Sequence, residues 1–269
     1  MLCFTIALRS KLSTDRWETV RKDFDATLCS IFNQTCDDFQ VYVGCNEIPE
    51  LMHKFDDRLH FVCVNTPKPQ DWLEGCRDRA WKQLACCAAI RQDYPDASMN
   101  GSVFVFPVDA DDYISNRIAD YVKRHPDANG FKSSRSYRWN KGGKWLEISP
   151  YFGGTMNIIR LLPQELPEKM PDIAFCFDKD TCVKLNEKYP VRWDDIEVER
   201  IMAQQGRPLA QLPFCSTIYS LNTGTNISSL EPKSLKTDDK RIHLGVILRK
   251  FSFWKYQYLS KSIRHEFGM

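Results

Sequence analysis

The stretch Val103-Phe104-Val105-Phe106-Pro107-Val108-Asp109-Ala110-Asp111-Asp112-Tyr113 sets a Val- and Phe-rich run against three closely spaced carboxylates. The run reads as a buried strand. Burying an unpaired charge is very costly, so the carboxylates belong to a loop at the strand's carboxyl end. Hard cations find oxygen ligands in such loops, and open α/β sheets bind ligands at that edge. The pattern therefore points to a metal-bound site that grips a diphosphate. Aspartates also serve as turn and cap residues, and the motif alone leaves that use open. An EF-hand loop fits worse, because no glycine sits at its sixth position and no glutamate at its twelfth.

Working outward, Leu2 to Leu8 reads as a first buried strand that turns at Arg9-Ser10. Asp15 and Glu18 have the form of a capping box, and Trp17, Val20, Phe24, Leu28 and Ile31 then recur at helical spacing. Gln40 to Gly44 and Leu59 to Val64 are strands, and a helix is predicted from about Trp72 to Arg91. A further helix runs from about Ser115 to Arg124, stopped by Pro126. This order predicts a mainly parallel twisted sheet with helices on both faces. Its carboxyl edge collects Arg9, Asn46 and the Asp109 to Asp112 cluster.

Past this core, Gly130 to Trp139 and Lys144 to Ser149 read as an antiparallel pair around Lys141-Gly142-Gly143. Thr155 to Leu162 is a short apolar segment, and Cys182, Leu185 and Tyr189 mark a short helix. Asp194 to Gln205 reads as a helix closed by Gly206 and Pro208. Thr223 to Lys240 has the polar composition of a linker, and the tail from Arg241 is basic and aromatic. Two parts are expected: residues 1–222 as the main domain and 223–269 as linker and C-terminal extension.

The bulk composition fits a globular protein. Apolar residues are 43% and charged residues 27%, and the formal net charge of +2 implies no nucleic-acid partner. The eleven cysteines form no C-x-x-C pair. Cys3, Cys29, Cys63, Cys86, Cys87 and Cys176 lie in apolar runs and read as small buried hydrophobes, which suits a reducing cytosol. No stretch has the roughly 20 apolar residues of a membrane span. Leu2 to Leu8 lacks the basic segment of a signal peptide. Asn33-Gln34-Thr35 and Asn226-Ile227-Ser228 match the glycosylation pattern but carry no weight without a secretory signal.

Other constellations add to the site. Arg77, Arg79 and Lys82 fall near a predicted helix N-terminus, where free N–H groups and the dipole attract phosphate. A solvated charged face is the plainer use of the same residues. Asp194, Asp195 and Glu197 mark a helix start that is either a capping box or the seat of a carboxylate base. The five histidines show no zinc spacing, although His243 or His265 could complete a metal site. Phosphate loops, dinucleotide fingerprints and nucleophile elbows are absent.

Together these segments resemble the inverting, GT-A-type family 2 glycosyltransferases, most of all the bacterial rhamnosyltransferase-like branch. Thr27-Leu28-Cys29-Ser30-Ile31-Phe32-Asn33-Gln34-Thr35, followed by Asp38-Phe39-Gln40-Val41, looks like the family's S-hydrophobic-x-N-Q-T segment and its F-x-V. Val108-Asp109-Ala110-Asp111-Asp112-Tyr113 looks like its D-x-D-D motif. Trp193-Asp194-Asp195-Ile196-Glu197-Val198 with Gly206-Arg207-Pro208-Leu209 looks like its E-D segment and following glycine. Order and spacing agree over about residues 1–220.

The resemblance implies a GT-A (Rossmann-like) sheet with a small antiparallel element and a C-terminal helical extension. It implies that Asp109 contacts the donor nucleotide or its ribose. Asp111, with Asp112, would hold Mn²⁺ or Mg²⁺ on the diphosphate of a nucleotide-diphosphate sugar. Asp195 would be the base, with Asp194 capping the helix and orienting the pair. Arg9, Asn46, Arg77, Arg79 and Lys82 are the remaining candidate donor contacts. Two departures bear on the nucleotide: strand two ends in Gly44-Cys45-Asn46-Glu47, and strand one ends in Leu8-Arg9-Ser10 rather than a proline-containing turn. Trp139 and Trp145 are candidates to stack on acceptor sugars.

The expected activity is transfer of a sugar to a glycan or lipid-linked acceptor hydroxyl in bacterial surface polysaccharide synthesis. A cytoplasmic enzyme is expected, held peripherally on the inner face of the plasma membrane by the tail, where Arg241, Arg249, Lys250, Lys255, Lys261 and Arg264 alternate with aromatic rings. Two alternatives stay open. One is a sugar-phosphate nucleotidyltransferase, although Leu8-Arg9-Ser10-Lys11 lacks the glycines its loop needs. The other is a non-catalytic nucleotide-sugar or glycan-binding module.

Overall fold

The computed structural model describes residues 1–95, 101–150, 154–170, 195–221, 223 and 255–269, with 195–197 described by their backbone. The chain is mixed α/β with a mostly parallel central sheet. Its strands are β1 (Leu2–Ala7), β2 (Phe39–Cys45), β3 (Leu59–Cys63), β4 (Val103–Val108), β5 (Tyr113–Ile114), β6 (Gly130–Lys132), β7 (Ser136–Asn140), β8 (Trp145–Ser149), β9 (Asn157–Leu161), β10 (Ala210–Gln211), β11 (Thr217–Leu221) and β12 (Tyr256–Tyr258). Its helices, among the described residues, are α1 (Trp17–Phe32), α2 (Trp72–Asp93), α3 (Ile118–Arg124), α4 (Asp195–Gln204) and α5 (Lys261–Glu266).

The central sheet has the order β10-β6-β9-β4-β1-β2-β3. β3, β2, β1 and β4 run parallel, and β9 alone opposes its neighbours β4 and β6. Strand alternation sorts β1 onto two cores. Leu2, Phe4, Ile6 and Leu8 pack with Val20, Phe24, Leu28 and Ile31 of α1 and with Ile118, Ala119 and Val122 of α3. Cys3 faces the other way, into a core with Cys86, Cys87 and Ile90 of α2 and Val198 and Met202 of α4. Helices thus cover both faces, as β strands buried on both sides require. Each fully buried Phe or Leu here contributes roughly 1.5–3 kcal/mol.

Helix boundaries follow local chemistry, with one departure. Asp71 caps α2 by accepting from the Glu74 N–H (2.8 Å), while Glu74 accepts from the Gln70 N–H (2.7 Å). The expected Asp15–Glu18 box does not form. α1 starts after Arg16 without a side-chain cap, and Glu18 pairs with Arg21 instead at 2.9 Å. The third helix begins at Ile118 rather than Ser115, because Ser115 and Asn116 use their backbone on Ser216, Thr35 and Glu266.

The second half was legible only in part. Gly130 to Trp139 is not one strand: β6 joins the central sheet and β7 joins a second sheet of order β12-β8-β7-β11-β5. The β7–β8 hairpin turns where expected, with Gly142 at a positive φ of 87° and the Gly143 N–H bonded to Asn140 O at 2.7 Å. The helix expected around Cys182 to Tyr189 and the linker from 224 to 240 lie outside the described residues.

Residues 255–269 pack back onto the rest of the chain. β12 pairs with β8, and Phe267 is fully buried beside Trp139, Leu146 and Ile218. Ser115 Oγ donates to Glu266 Oε1 at 2.6 Å, and Asn33 Nδ2 donates to the His265 carbonyl at 2.7 Å. Lys255, Lys261 and Arg264 of the basic-aromatic tail thus lie on a segment packed against the domain, and Arg241, Arg249 and Lys250 lie outside the described residues. No helix among the described residues is long and apolar enough to cross a membrane.

Candidate active site at the carboxyl edge of the sheet

The strands β1, β2 and β4 end side by side, delivering Arg9, Asn46 and Asp109 to one edge. Asp109 follows β4 directly. Its N–H donates to Thr155 Oγ1 (2.9 Å), and its carboxylate pairs with Arg79 of α2 (3.0 Å). Gly154 lies against this pair. A Cβ there would collide with both Asp109 oxygens and with the Arg79 guanidinium. Gly154→Ala should therefore cost about 1–3 kcal/mol, as overpacking typically does. Denaturant unfolding checks it, and an unchanged midpoint would show that the pair yields without cost.

Asp111 is partly buried and crowded. Burial first, then Asp109 and Asp23, push its carboxyl up to about 7, against the pull of its own N–H and Lys141. Asp23 is a buried carboxylate on the apolar stripe of α1, ion-paired to Lys141 from the β7–β8 turn. Arg9 faces the same cluster. Burial lowers its guanidinium from the ordinary value, while Asp111 and Asp78 raise it. Asp112 is fully inaccessible, so of the two expected metal ligands Asp111 is the one that meets the open edge.

The three cations expected at a helix start separate. α2 begins at Trp72, where the Glu74 N–H already donates to Asp71, and Arg77, Arg79 and Lys82 sit further along the helix. Arg79 reaches Asp109. Arg77 is half-buried two residues earlier, about 200° around the helix from it. Lys82 is wholly buried, and its ammonium donates to Asp78 Oδ2 (2.8 Å) and the Leu8 carbonyl (2.9 Å). It braces the β1 terminus from below rather than facing a ligand. Asn46 is likewise engaged: its Nδ2 donates to the Thr66 carbonyl at 2.8 Å, fixing the loop after β3.

The Asn33-Gln34-Thr35 segment is a splice between elements. Gln34 Nε2 donates to Ser115 O (2.8 Å) and Gln34 Oε1 accepts from the Ala119 N–H (2.8 Å), tying the end of α1 to the loop after Asp112. Trp139, expected near an acceptor, is 6% exposed and donates to Gly143 O at 2.9 Å, so it is core. Trp145 is 59% exposed and meets Tyr258 edge-on at 5.5 Å.

Asp194 lies outside the described residues, and Asp195 is the first residue of α4. The contacts of α4 fix its direction. Glu199 pairs with Lys132 at the carboxyl end of β6, whereas Arg207, just past the helix, bonds Glu165 and the Arg160 carbonyl at the opposite edge. The start of α4 is therefore directed to the edge that carries Asp109. Sequence reasoning missed Asp23, Asp78, Gly154, Thr155 and Lys141. Asp23 was findable as a carboxylate on an apolar helical stripe, and Asp78–Lys82 as an i,i+4 pair. Thr155 and Gly154 carry no local signal.

No protein-family profile and no curated protein matches the chain. Among solved structures it is similar to S. aureus TarS 1-349, at 11% identity and a TM-score of 0.40, over 82% of this chain. The chain spans 60% of that one.

Proposed function

We propose that the protein is an inverting, metal-dependent glycosyltransferase that moves a sugar from a nucleotide-diphosphate donor to a glycan or lipid-linked hydroxyl. The observation that carries this reading is the crowded carboxylate cluster of Asp109 and Asp111 at the open edge, with Arg9 and Arg79 beside it. Carboxylates pressed together until one holds its proton near neutral pH are relieved by a hard divalent cation. The donor set is all oxygen, which fits Mn²⁺ or Mg²⁺ held by Asp111 with Asp109 adjacent. When bound, that ion supplies Lewis-acid neutralisation of the departing diphosphate.

The protein's own groups do the rest. Arg9 and Arg79 place fixed positive charge at the donor phosphates. Asp195 accepts the acceptor's hydroxyl proton as the oxygen attacks the anomeric carbon. The bond from that carbon to the diphosphate breaks in the same in-line displacement, which inverts the centre. The exposed Trp145–Tyr258 pair offers apolar ring surface to an acceptor sugar.

Nucleoside diphosphate release from a panel of donors, with and without Mn²⁺, tests the reading. Metal-dependent release with transfer supports it. Release of pyrophosphate would instead identify a nucleotidyltransferase, and binding without turnover a non-catalytic module. Asp195→Asn should lower kcat by about 10²-fold with donor affinity nearly unchanged, since a base need not touch the diphosphate. Asp194→Asn should cost less, because Asn also caps helices. Titration calorimetry with donor and Mn²⁺, beside steady-state transfer, separates the two. Lost donor binding with normal turnover at saturation would move Asp195 to the donor site.

A further inference from the structure

A second ligand cluster lies on the far side of α1. Asp25 and Cys29 are one turn apart on that helix and so share a face. His53, from the segment between β2 and β3, closes over them. Its Nδ1 is 2.5 Å from Asp25 Oδ2 and 3.4 Å from Cys29 Sγ, and one ligand atom from each residue lies within 4.8 Å of the others. Asp23 is two residues from Asp25, about 200° around the helix, so this cluster is separate from the Asp111 site.

We propose that Asp25, Cys29 and His53 form a site for a borderline-soft transition metal of the Zn²⁺ or Co²⁺ type. Thiolate, imidazole and carboxylate together select such ions over Mg²⁺ or Ca²⁺. A tetrahedral zinc centre with ordinary bond lengths sets nitrogen and sulfur roughly 3.6 Å apart, close to the observed 3.4 Å. Nitrogen and oxygen would stand roughly 3.3 Å apart, so His53 must retreat slightly from Asp25. It is free to do so, with its side chain 59% exposed.

The support around the cluster is already in place. Asp25 Oδ1 accepts from the Met52 and His53 N–H groups at 2.8 and 3.2 Å, which fixes the loop that carries the imidazole and leaves Oδ2 for a metal. Arg21, one turn before Asp25, holds the same loop by donating to the Glu50 carbonyl at 2.9 Å, and its guanidinium is engaged with Glu18. Three protein ligands leave one position for water. The bound ion would clamp the 50–53 segment to α1.

The test uses the full-length protein, stripped with chelator and kept reduced. Co²⁺ alone should give a thiolate-to-metal charge-transfer band whose full intensity corresponds to one cobalt-thiolate centre per chain, and Zn²⁺ should abolish the band while Mn²⁺ does not. Cys29→Ser should abolish the band, and Cys29→Ser and His53→Ala should each weaken Zn²⁺ binding at least about tenfold. Asp111→Asn should leave band and affinity intact, which keeps this result independent of the proposed donor site. His53 is exposed, so His53→Ala keeps the test sound if Cys29→Ser folds poorly. Absence of the band in the wild type, or its survival with full affinity in either variant, overturns the assignment.

Discussion

Replacing Lys82 with Met should lower the unfolding free energy by about 3–5 kcal/mol, the usual cost of leaving one member of a buried ion pair alone. The Lys82 ammonium is enclosed, and Asp78 Oδ2 at 2.8 Å and the Leu8 carbonyl at 2.9 Å are its partners. Met fills a similar volume but donates nothing. Asp78, itself buried, then loses its ion-pair partner, and the Leu8 carbonyl loses its donor. The double variant Asp78→Asn/Lys82→Met should recover part of the loss, because it removes both charges. Urea denaturation of the single and double variants measures the coupling. A Lys82→Met protein within about 1 kcal/mol of wild type would show that the buried ammonium contributes no net stability. The consequence reaches the site, since Leu8 precedes Arg9 and a loosened β1 terminus misplaces a proposed phosphate contact.

Asp111→Asn should cut transfer by about 10³-fold, the scale of several kcal/mol of lost metal stabilisation of the leaving group. The same change should stabilise the metal-free protein in a pH-dependent way. The folded-state carboxyl is raised from 3.8 to about 7. Below about pH 4 it is protonated in both folded and unfolded chains and contributes nothing to the difference. As pH rises toward 7 the unfolded carboxyl ionises while the folded one resists, so the wild type loses stability, by up to about 4 kcal/mol. Above that the loss is constant. Asn never ionises, so the variant's melting temperature should exceed the wild type's at pH 8 and match it near pH 4. Mn²⁺ should raise the wild type's melting temperature at pH 8 and leave the variant's nearly unchanged. A melting difference that is flat with pH, or of opposite sign, would show that Asp111 does not carry this strain. Undiminished metal-dependent transfer would remove it from the metal site.

The parallel half of the fold was open to reading because its signals are local. Apolar runs at Leu2, Gln40, Leu59 and Val103, separated by helical spacing and turn residues, leave little choice but parallel strands with crossover helices. The second sheet was obscure for the opposite reason. β5 and β12 are short, and their partners β11 and β8 stand far away in the chain, so pairing rather than propensity makes them strands. The same distinction explains the capping box that failed: Asp15 and Glu18 have the right spacing, but Arg21 competes for Glu18.

At the site, residue type and order alone determined that carboxylates end β4 and that cations stand near them. Tertiary structure decided which of these groups meet. A two-residue step along α2 separates Arg77 from Arg79, and one further turn sends Lys82 inward to Leu8 and Asp78. Asp111 and Asp112 are neighbours in sequence, yet one is partly exposed and the other is sealed, in a turn closed by the Asp112 N–H on the Asp109 carbonyl. The crowding of Asp111 by Asp23 and the seating of Gly154 against Arg79 and Asp109 join residues from separate elements. Charge interactions depend on distance and burial, and both are fixed only when the helices close on the sheet.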